Sequence, residues 1–555
     1  MKIHTEGIPI VPRGAPVAID TEFFGQDEKR LHRPHGKFAC LSVAYGKDVY
    51  QYYTVTTARN VLTKLRRATW VGHNLAYDIT QLRGIGVEVP RRAVWDTLLV
   101  DRVLWNGYYE TFSLDDLTRR YLDVKLKKEV RSTFADAEGI LTKEQKQYAA
   151  FDAKYTLQVQ KKQEEILTSE LAKVYWEIDE PALWAVLDMK PVKVDTKIWR
   201  GLVKEFKEKA AEIEERLGFN VFSHKTVLSR LADLGFHLQN TAAETLEEYR
   251  TQHPIFDEII TCRSYRTAVS RYGMNWLDNY LEDGDLMYAS WKVTGAETGR
   301  MACSKPPLQQ VPVRNEELGM DRYRTAFISA HPKGSMLVSD VSMQEPRITA
   351  YASQDENLLA AAKSGEDIHQ YVTDQLSGAL KKKVSRKLGK DVNLGMVYGL
   401  SPYGLARNVG ISEDEARELM GIYFNRFPGV VSWAAWTKNR ALSKGFVETP
   451  AGRRFWINPH NSQWERNAVN SPIQGGAADH TKLTLSKIWK ECRRQGIEFP
   501  VSMVIHDEID CDLPPGVIRT YSKILKDAWL EAAGELFPGV PFVVDIAHGS
   551  SWGCK

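Results

Sequence analysis

The sequence predicts a multidomain α/β protein, on three observations. A chain of 555 residues exceeds the size at which a single hydrophobic core stops growing. From about residue 1 to 165, short apolar strands (Val17 to Ile19, Cys40 to Ala44, Val49 to Tyr53, Trp70 to Gly72) alternate with helical stretches. Further on, two apolar runs lead into acids, Met336 to Val338 into Asp340 and Val504-Ile505 into Asp507, with charged helical sequence between them.

Composition narrows the class. At 43% hydrophobic and 26% charged, the chain reads as globular. Lys+Arg 74 against Asp+Glu 71 gives a net charge of +3, so a polyanion would have to be held by local basic patches. The six cysteines (Cys40, Cys262, Cys303, Cys492, Cys511, Cys554) show no zinc-ligand spacing, which argues against a zinc site and for a reducing, cytoplasmic setting. No leader and no apolar run of roughly 20 residues is visible, so no membrane partner is expected.

The first element carrying chemistry is Asp20-Thr21-Glu22, after Val17-Ala18-Ile19. Residues two apart on a strand face the same side, so Asp20 and Glu22 share a face. A third acid, Asp78, follows the Trp70-Val71-Gly72 strand, and a fourth, Asp152, stands four residues after Tyr148, its neighbour on a helix. Each has a plain alternative: Asp-x-Glu is common by chance, and such a tyrosine is usually core beside a surface acid. A helix-rich tract then breaks near Glu177 to Pro181, which puts a domain boundary between about 160 and 180. Residues 196 to 282 read as charged amphipathic helices, an elongated arm, and Leu286 to Val293 alternates like one strand.

Asp340 and Asp507 suit nucleotidyl transfer, which uses two divalent ions about 3.5–4 Å apart. Asp507 and Glu508 could equally be ordinary hairpin-turn residues. Between the two acids, Arg386, Lys390 and Leu394 are spaced by four and form one helical stripe. Arg386 would meet the outer phosphates of a triphosphate and Lys390 the inner ones, where it could protonate the leaving pyrophosphate. The alternative is a solvated basic helix, since residues 381 to 390 read KKKVSRKLGK. Gly389, Gly395 and Gly399 each cost about 1 kcal/mol of helix propensity, and a merely solvated helix has no reason to contain them.

These three segments resemble motifs A, B and C of the DNA polymerase I family, family A. Thr298-Gly299-Arg300 with Leu308 to Pro312 and Arg314-Asn315-Glu316 is similar to another family segment, as are Asp367-Ile368-His369 and Arg466-xxx-Asn470-Ser471-Pro472-Ile473-Gln474-Gly475. The resemblance implies that Asp340 and Asp507 hold metal, with Glu508 and Lys390 catalytic beside them. It implies that Arg386, Lys390, Leu394, Tyr398, His369, Glu345 and Gln344 bind nucleotide. It also implies that Arg300, Arg466, Asn470, Gln474 and His506 bind DNA, Arg300 and Gln474 through minor-groove acceptors common to every base pair. Glu345, paired with Tyr398, would block a ribose 2′-hydroxyl. Leu394 departs from the aromatic ring usual at its position, and Pro346 departs in the first turn of a helix, where proline is tolerated.

Asp20, Glu22, Asp78, Tyr148 and Asp152, in order, resemble the motifs of the DEDDy 3′-to-5′ exonucleases. The four acids would hold two metal ions, Tyr148 would orient the attacking water, and Asp96 would be a supporting or structural carboxylate. The resemblance implies a ribonuclease H-like exonuclease domain at 1–165, then a right-hand polymerase domain at 166–555. Its thumb is expected at about 190–285, its palm at about 286–345 and 480–555, and its fingers at about 346–479. Expected cofactors are two Mg²⁺ per site, or Mn²⁺; expected partners are primer-template DNA, deoxynucleoside triphosphates and replisome proteins (helicase, primase, single-strand binding protein). The sequence opens almost directly on the acidic strand, and little room for a thumb insertion lies between Asp152 and Arg300. A clamp bound through such an insertion is not expected, and a compact exonuclease-plus-polymerase resembles a bacteriophage replicative enzyme, expected as a monomer in the host cytoplasm. Its rivals are a nuclease with a decayed synthetic half and a non-catalytic nucleic-acid-binding protein, in which acids in the cleft would repel phosphate.

Overall fold

The computed structural model describes residues 2–25, 33–89, 91, 93–127, 129–135, 139–313, 317–365, 367–381, 383–397 and 400–555, without the side chains of Leu394 and Val397. Arg314, Asn315, Glu316, Tyr398, Gly399 and the Leu394 side chain therefore lie outside the described residues.

The N-terminal strands form one mixed sheet in the order Ile3–His4, Asp48–Tyr52, Lys37–Tyr45, Pro16–Phe24, Thr69–Gly72, Val94–Asp96. The acid-bearing strand Pro16–Phe24 is central, antiparallel to Lys37–Tyr45 and parallel to Thr69–Gly72. Helix Lys143–Ile166 packs across it; a capping box at Thr142 and Gln145 satisfies two of its first amides.

The C-terminal acids lie on a four-stranded antiparallel sheet in the order Val501–Ile505, Glu508–Leu513, Ser335–Ser342, Val543–Gly549. Strand parity divides its side chains. Met336 and Val338 enter a core shared with the helices of residues 196–280, while Leu337 and Val341 enter a second core that runs on through the N-terminal sheet. Asp340 has the parity of Met336 and Val338, and therefore stands on their face of the sheet.

Two expectations are corrected. The helical pattern does not break near Glu177 to Pro181: helix Ser169–Lys173 passes through a π-helical segment, Val174–Asp179, into helix Glu180–Asp188. Pro181 sits in the first turn of that last helix, where its missing N–H costs nothing. Leu286 to Val293 is not one strand, because Leu286–Met287 pairs with Val192–Val194 while Ser290–Lys292 pairs with Ala302–Ser304.

A fully buried charge network ties the π-helical segment Val174–Asp179, whose Tyr175 hydroxyl bonds strand Val94–Asp96, to the long helix Trp464–Gln495. Arg453 bonds Asp179 at 2.7 and 2.9 Å and Asp479 at 2.7 Å, and Lys482 bonds Asp179 at 2.6 Å. None of the four side chains is exposed. Burial pushes the Asp179 carboxyl up, but Arg453 and Lys482 outweigh it and hold the group below its ordinary range. Nearby, Trp456 donates its indole N–H to Leu104 O at 2.8 Å and stacks on Trp105.

Two candidate active sites

On the mixed sheet the sequence motifs converge. Asp20 and Glu22 share one face of their strand, Asp78 lies in the first turn of helix Leu75–Gly84, and Tyr148 and Asp152 come from helix Lys143–Ile166. Glu22, Asp78 and Asp152 are buried. Thr21 fixes Asp78 by donating its backbone N–H at 2.9 Å and its hydroxyl at 2.7 Å to Oδ1. The Tyr148 hydroxyl hydrogen-bonds Asp152.

Burial pushes the Asp20 and Glu22 carboxyls well above the carboxylate range, and the fields of the neighbouring acids push them further. Burial also raises Asp78 and Asp152 to about 7, against hydrogen bonds from Thr21 and Tyr148 respectively. Arg131, which the sequence reading missed, opposes the rise at Asp20, Glu22 and Asp152. Its helix, Glu129–Ser132, carries no motif that would have announced it.

Asp20 Oδ2 and Asp152 Oδ1 are buried without a hydrogen-bond partner. Unpartnered acceptors in a cluster of like charge suit a divalent cation, which relieves both costs. Among the described residues no three His, Cys, Asp or Glu side chains stand in the geometry of a formed metal centre, so these acids face one another without reaching coordination distance. Asp96 resolves to the structural role. Its Oδ1 accepts from Asn74 and Leu98, and its Oδ2 from Leu75 at 2.8 Å, fixing the starts of the helix bearing Asp78 and of the helix that follows Asp96.

On the antiparallel sheet, His506 and Asp507 form a two-residue turn between strands Val501–Ile505 and Glu508–Leu513. His506 adopts a left-handed φ of 59°, and the Asp507 carbonyl accepts from Val341 N at 3.2 Å. The hairpin-turn alternative thus holds for Asp507 and not for Glu508, which opens the next strand, and the turn itself brings Asp507 beside the Asp340 strand. Asp340 is flanked in register by Glu508 on one side and Asp545 on the other, an acid the motif reading omitted.

Glu508 is buried. Its Oε1 accepts from Trp552 Nε1 at 2.7 Å and lies 3.5 Å from Arg324, and its Oε2 lies 3.3 Å from Lys555 Nζ. Lys555 Nζ also contacts Asp340 Oδ2. An ammonium bridging two acids here marks a place that accepts a cation, and the donor set of Asp340 and Asp507 suits Mg²⁺ or Mn²⁺.

The flanking residues are placed as follows. Helix Arg386–Val397 carries Arg386 and Lys390 one turn apart. Arg386 is paired with Asp367, Nε donating to Oδ2 at 2.9 Å. His369 is buried beside Asn393, and burial together with Lys390 lowers its ring pKa to about 4, so it is neutral at pH 7. A Cβ at Gly389 would collide with Thr373 and one at Gly395 would crowd Leu400, which is why this helix contains glycine and why it is no solvated face. Arg300 pairs with Glu345, whose expected partner Tyr398 is outside the described residues.

Arg466, Asn470 and Gln474 lie at four-residue spacing on helix Trp464–Gln495; Arg466 is exposed and the other two half-buried. Gln344 is buried at the start of helix Gln344–Ser353, and its amide meets His480 Nδ1 of the long helix at 3.0 Å.

Known proteins share this arrangement. A family model for DNA polymerase family A matches residues 195–554, and one for a 3′-5′ exonuclease matches residues 8–168. DNA polymerase I of Chloroflexus aurantiacus is 30% identical over 525 residues, 86% of this chain and 54% of the relative. That of Pseudomonas aeruginosa is 28% identical over 525 residues, 87% and 56%. The chain spans about half the length of these relatives. A solved structure described as the POL domain of Pol1 from M. smegmatis in complex with DNA primer-template and dNTP superposes with a TM-score of 0.82 and 25% identity, over 98% of this chain and 96% of that one. With the family model covering more than half of it and the right-hand fold of palm, fingers and thumb behind an exonuclease domain, the chain belongs to DNA polymerase family A.

Proposed function

We propose that the protein extends a DNA primer on a template at Asp340 and Asp507 and removes nucleotides from the same 3′ end at Asp20, Glu22, Asp78 and Asp152. The observation that supports this reading is the presence of two separate acid clusters, one on a strand leading into helix Gln344–Ser353, which packs against the cationic helix, and one with buried unpartnered oxygens beside a tyrosine. When bound at those acids, two Mg²⁺ per site, or Mn²⁺, would activate the attacking oxygen and neutralise charge on the reacting phosphate.

The chain's own groups do the rest. Arg386 exchanges Asp367 for the outer phosphates, and Lys390 binds nearer the leaving group and supplies it a proton. Tyr398, Leu394 and His369 line the nucleotide, and Glu345 selects the deoxyribose. Arg300, Gln474, Asn470, Arg466 and His506 hold the primer-template. Tyr148 orients water at the second site. Substrates are primer-template DNA and deoxynucleoside triphosphates. The protein acts as a monomer in the cytoplasm, in phage-type replication with a helicase, a primase and a single-strand binding protein, a setting that rests on the likeness of a compact exonuclease-plus-polymerase to phage replicative enzymes.

The test is primer extension with Mg²⁺ and four deoxynucleotides. Asp507→Ala abolishes extension and spares degradation, and Asp20→Ala does the reverse. Extension like wild type by both variants refutes the assignment.

A further inference from the structure

Resting on the reading of Asp340 as a metal-binding acid, we propose that Lys555 is a place-holding cation of the synthetic site. Its ammonium bridges Asp340 and Glu508, and must withdraw before a divalent ion can take Asp340.

The bridge is built by the fold. Asp340 and Glu508 are register partners on adjacent antiparallel strands, so their side chains leave the same face side by side. Lys555 Nζ contacts Asp340 Oδ2 and lies 3.3 Å from Glu508 Oε2. What holds the lysine there is Trp552, three residues earlier. That indole is 1% exposed, packs edge-on against Phe327, lies 3.8 Å beneath the Arg324 guanidinium and donates to Glu508 Oε1 at 2.7 Å. Ser551 pairs with Ile328. The backbone before Lys555 is thus fixed, while its side chain is 36% exposed and Asp340 is 24% exposed.

This combination suits exchange. The ammonium is a compact single charge on a flexible four-carbon stem with water beside it. A divalent ion carries twice the charge and attracts the same carboxylate more strongly. Arg324, by contrast, is buried over the Trp552 ring and stays with Glu508 whichever cation is bound.

The experiment measures binding of Mn²⁺ alone, without DNA or nucleotide, by paramagnetic resonance of the free ion. The protein is the full chain carrying Asp20→Ala and Asp152→Ala, which silence the other site. Lys555→Ala and Lys555→Met bind Mn²⁺ about two- to fivefold more tightly than their parent, the change expected from losing a partly exposed competitor, and Lys555→Arg stays with the parent. Unchanged or weaker Mn²⁺ binding by the Ala and Met variants overturns the proposal. Asp340→Asn separates the two levels. If it leaves Mn²⁺ binding intact, the reading of the palm as a metal site fails and the proposal with it; if it removes the ion, an unchanged Lys555→Ala overturns the Lys555 assignment alone.

Discussion

On the mixed sheet, four acids lie within one another's field, three of them buried, with two oxygens that no donor satisfies. On the antiparallel sheet, Asp340 and Glu508 share Lys555, and Arg324 and Trp552 hold the far side of Glu508. The first cluster stores repulsion that bound cations relieve, and the second is already compensated. The cause lies in what surrounds each strand. Asp20 and Glu22 sit mid-sheet beneath a long helix, whereas Asp340 is partly exposed and Lys555 reaches it from the end of the described chain.

Four perturbations break or sharpen this contrast. The largest acts on the segment that links the two regions. Arg453→Met leaves Asp179 and Asp479 as buried acids shared by Lys482 alone and costs about 3–5 kcal/mol, read by denaturant unfolding. A much smaller loss would show that Lys482 suffices to hold both acids.

Next is pH dependence in chelator. Asp78 and Asp152 have folded-state pKa values of about 7 against the ordinary 3.8, so their protonated forms favour the folded state. Stability is full below about pH 4 and falls as pH rises through about 7. Asp152→Asn should remove on the order of 2 kcal/mol of that fall between pH 5 and 8 and raise the melting temperature at pH 8. A parallel pair of pH curves would deny the stored repulsion.

Third, Gly389→Ala forces helix Arg386–Val397 off Thr373 at a cost of about 1–3 kcal/mol; on the function proposed above it also raises KM for nucleotide and leaves degradation of single strands normal. The smallest effect belongs to Asp340→Asn in chelator. It removes a partly exposed ion pair and changes stability by less than about 1 kcal/mol, opposite in sign to Asp152→Asn. A large stabilisation there would make the two sites alike.

Much of the architecture was legible because it is local. Apolar alternation marked the strands that became Pro16–Phe24, Lys37–Tyr45 and Thr69–Gly72, and i,i+4 spacing marked the helices bearing Tyr148 with Asp152 and Arg386 with Lys390. Leu286 to Val293 misled because alternation reports burial of a face and not which partner each half pairs with. Gln344 and His369 matched a motif, yet their surroundings draw both inward, to His480 and Asn393.

By itself the sequence determined which residues could carry charge to a common face, because side-chain direction repeats every two residues on a strand and every 3.6 on a helix. It determined Asp20 with Glu22 and Arg386 with Lys390, and left the hairpin at Asp507 as one of two readings. Only the tertiary structure decided which charges meet across the chain: Arg131 near Asp20, Arg453 between Asp179 and Asp479, and Lys555 on Asp340. The electrostatic state of a carboxylate depends on its burial and on charges brought close by the fold, and neither is encoded in its local sequence neighbours.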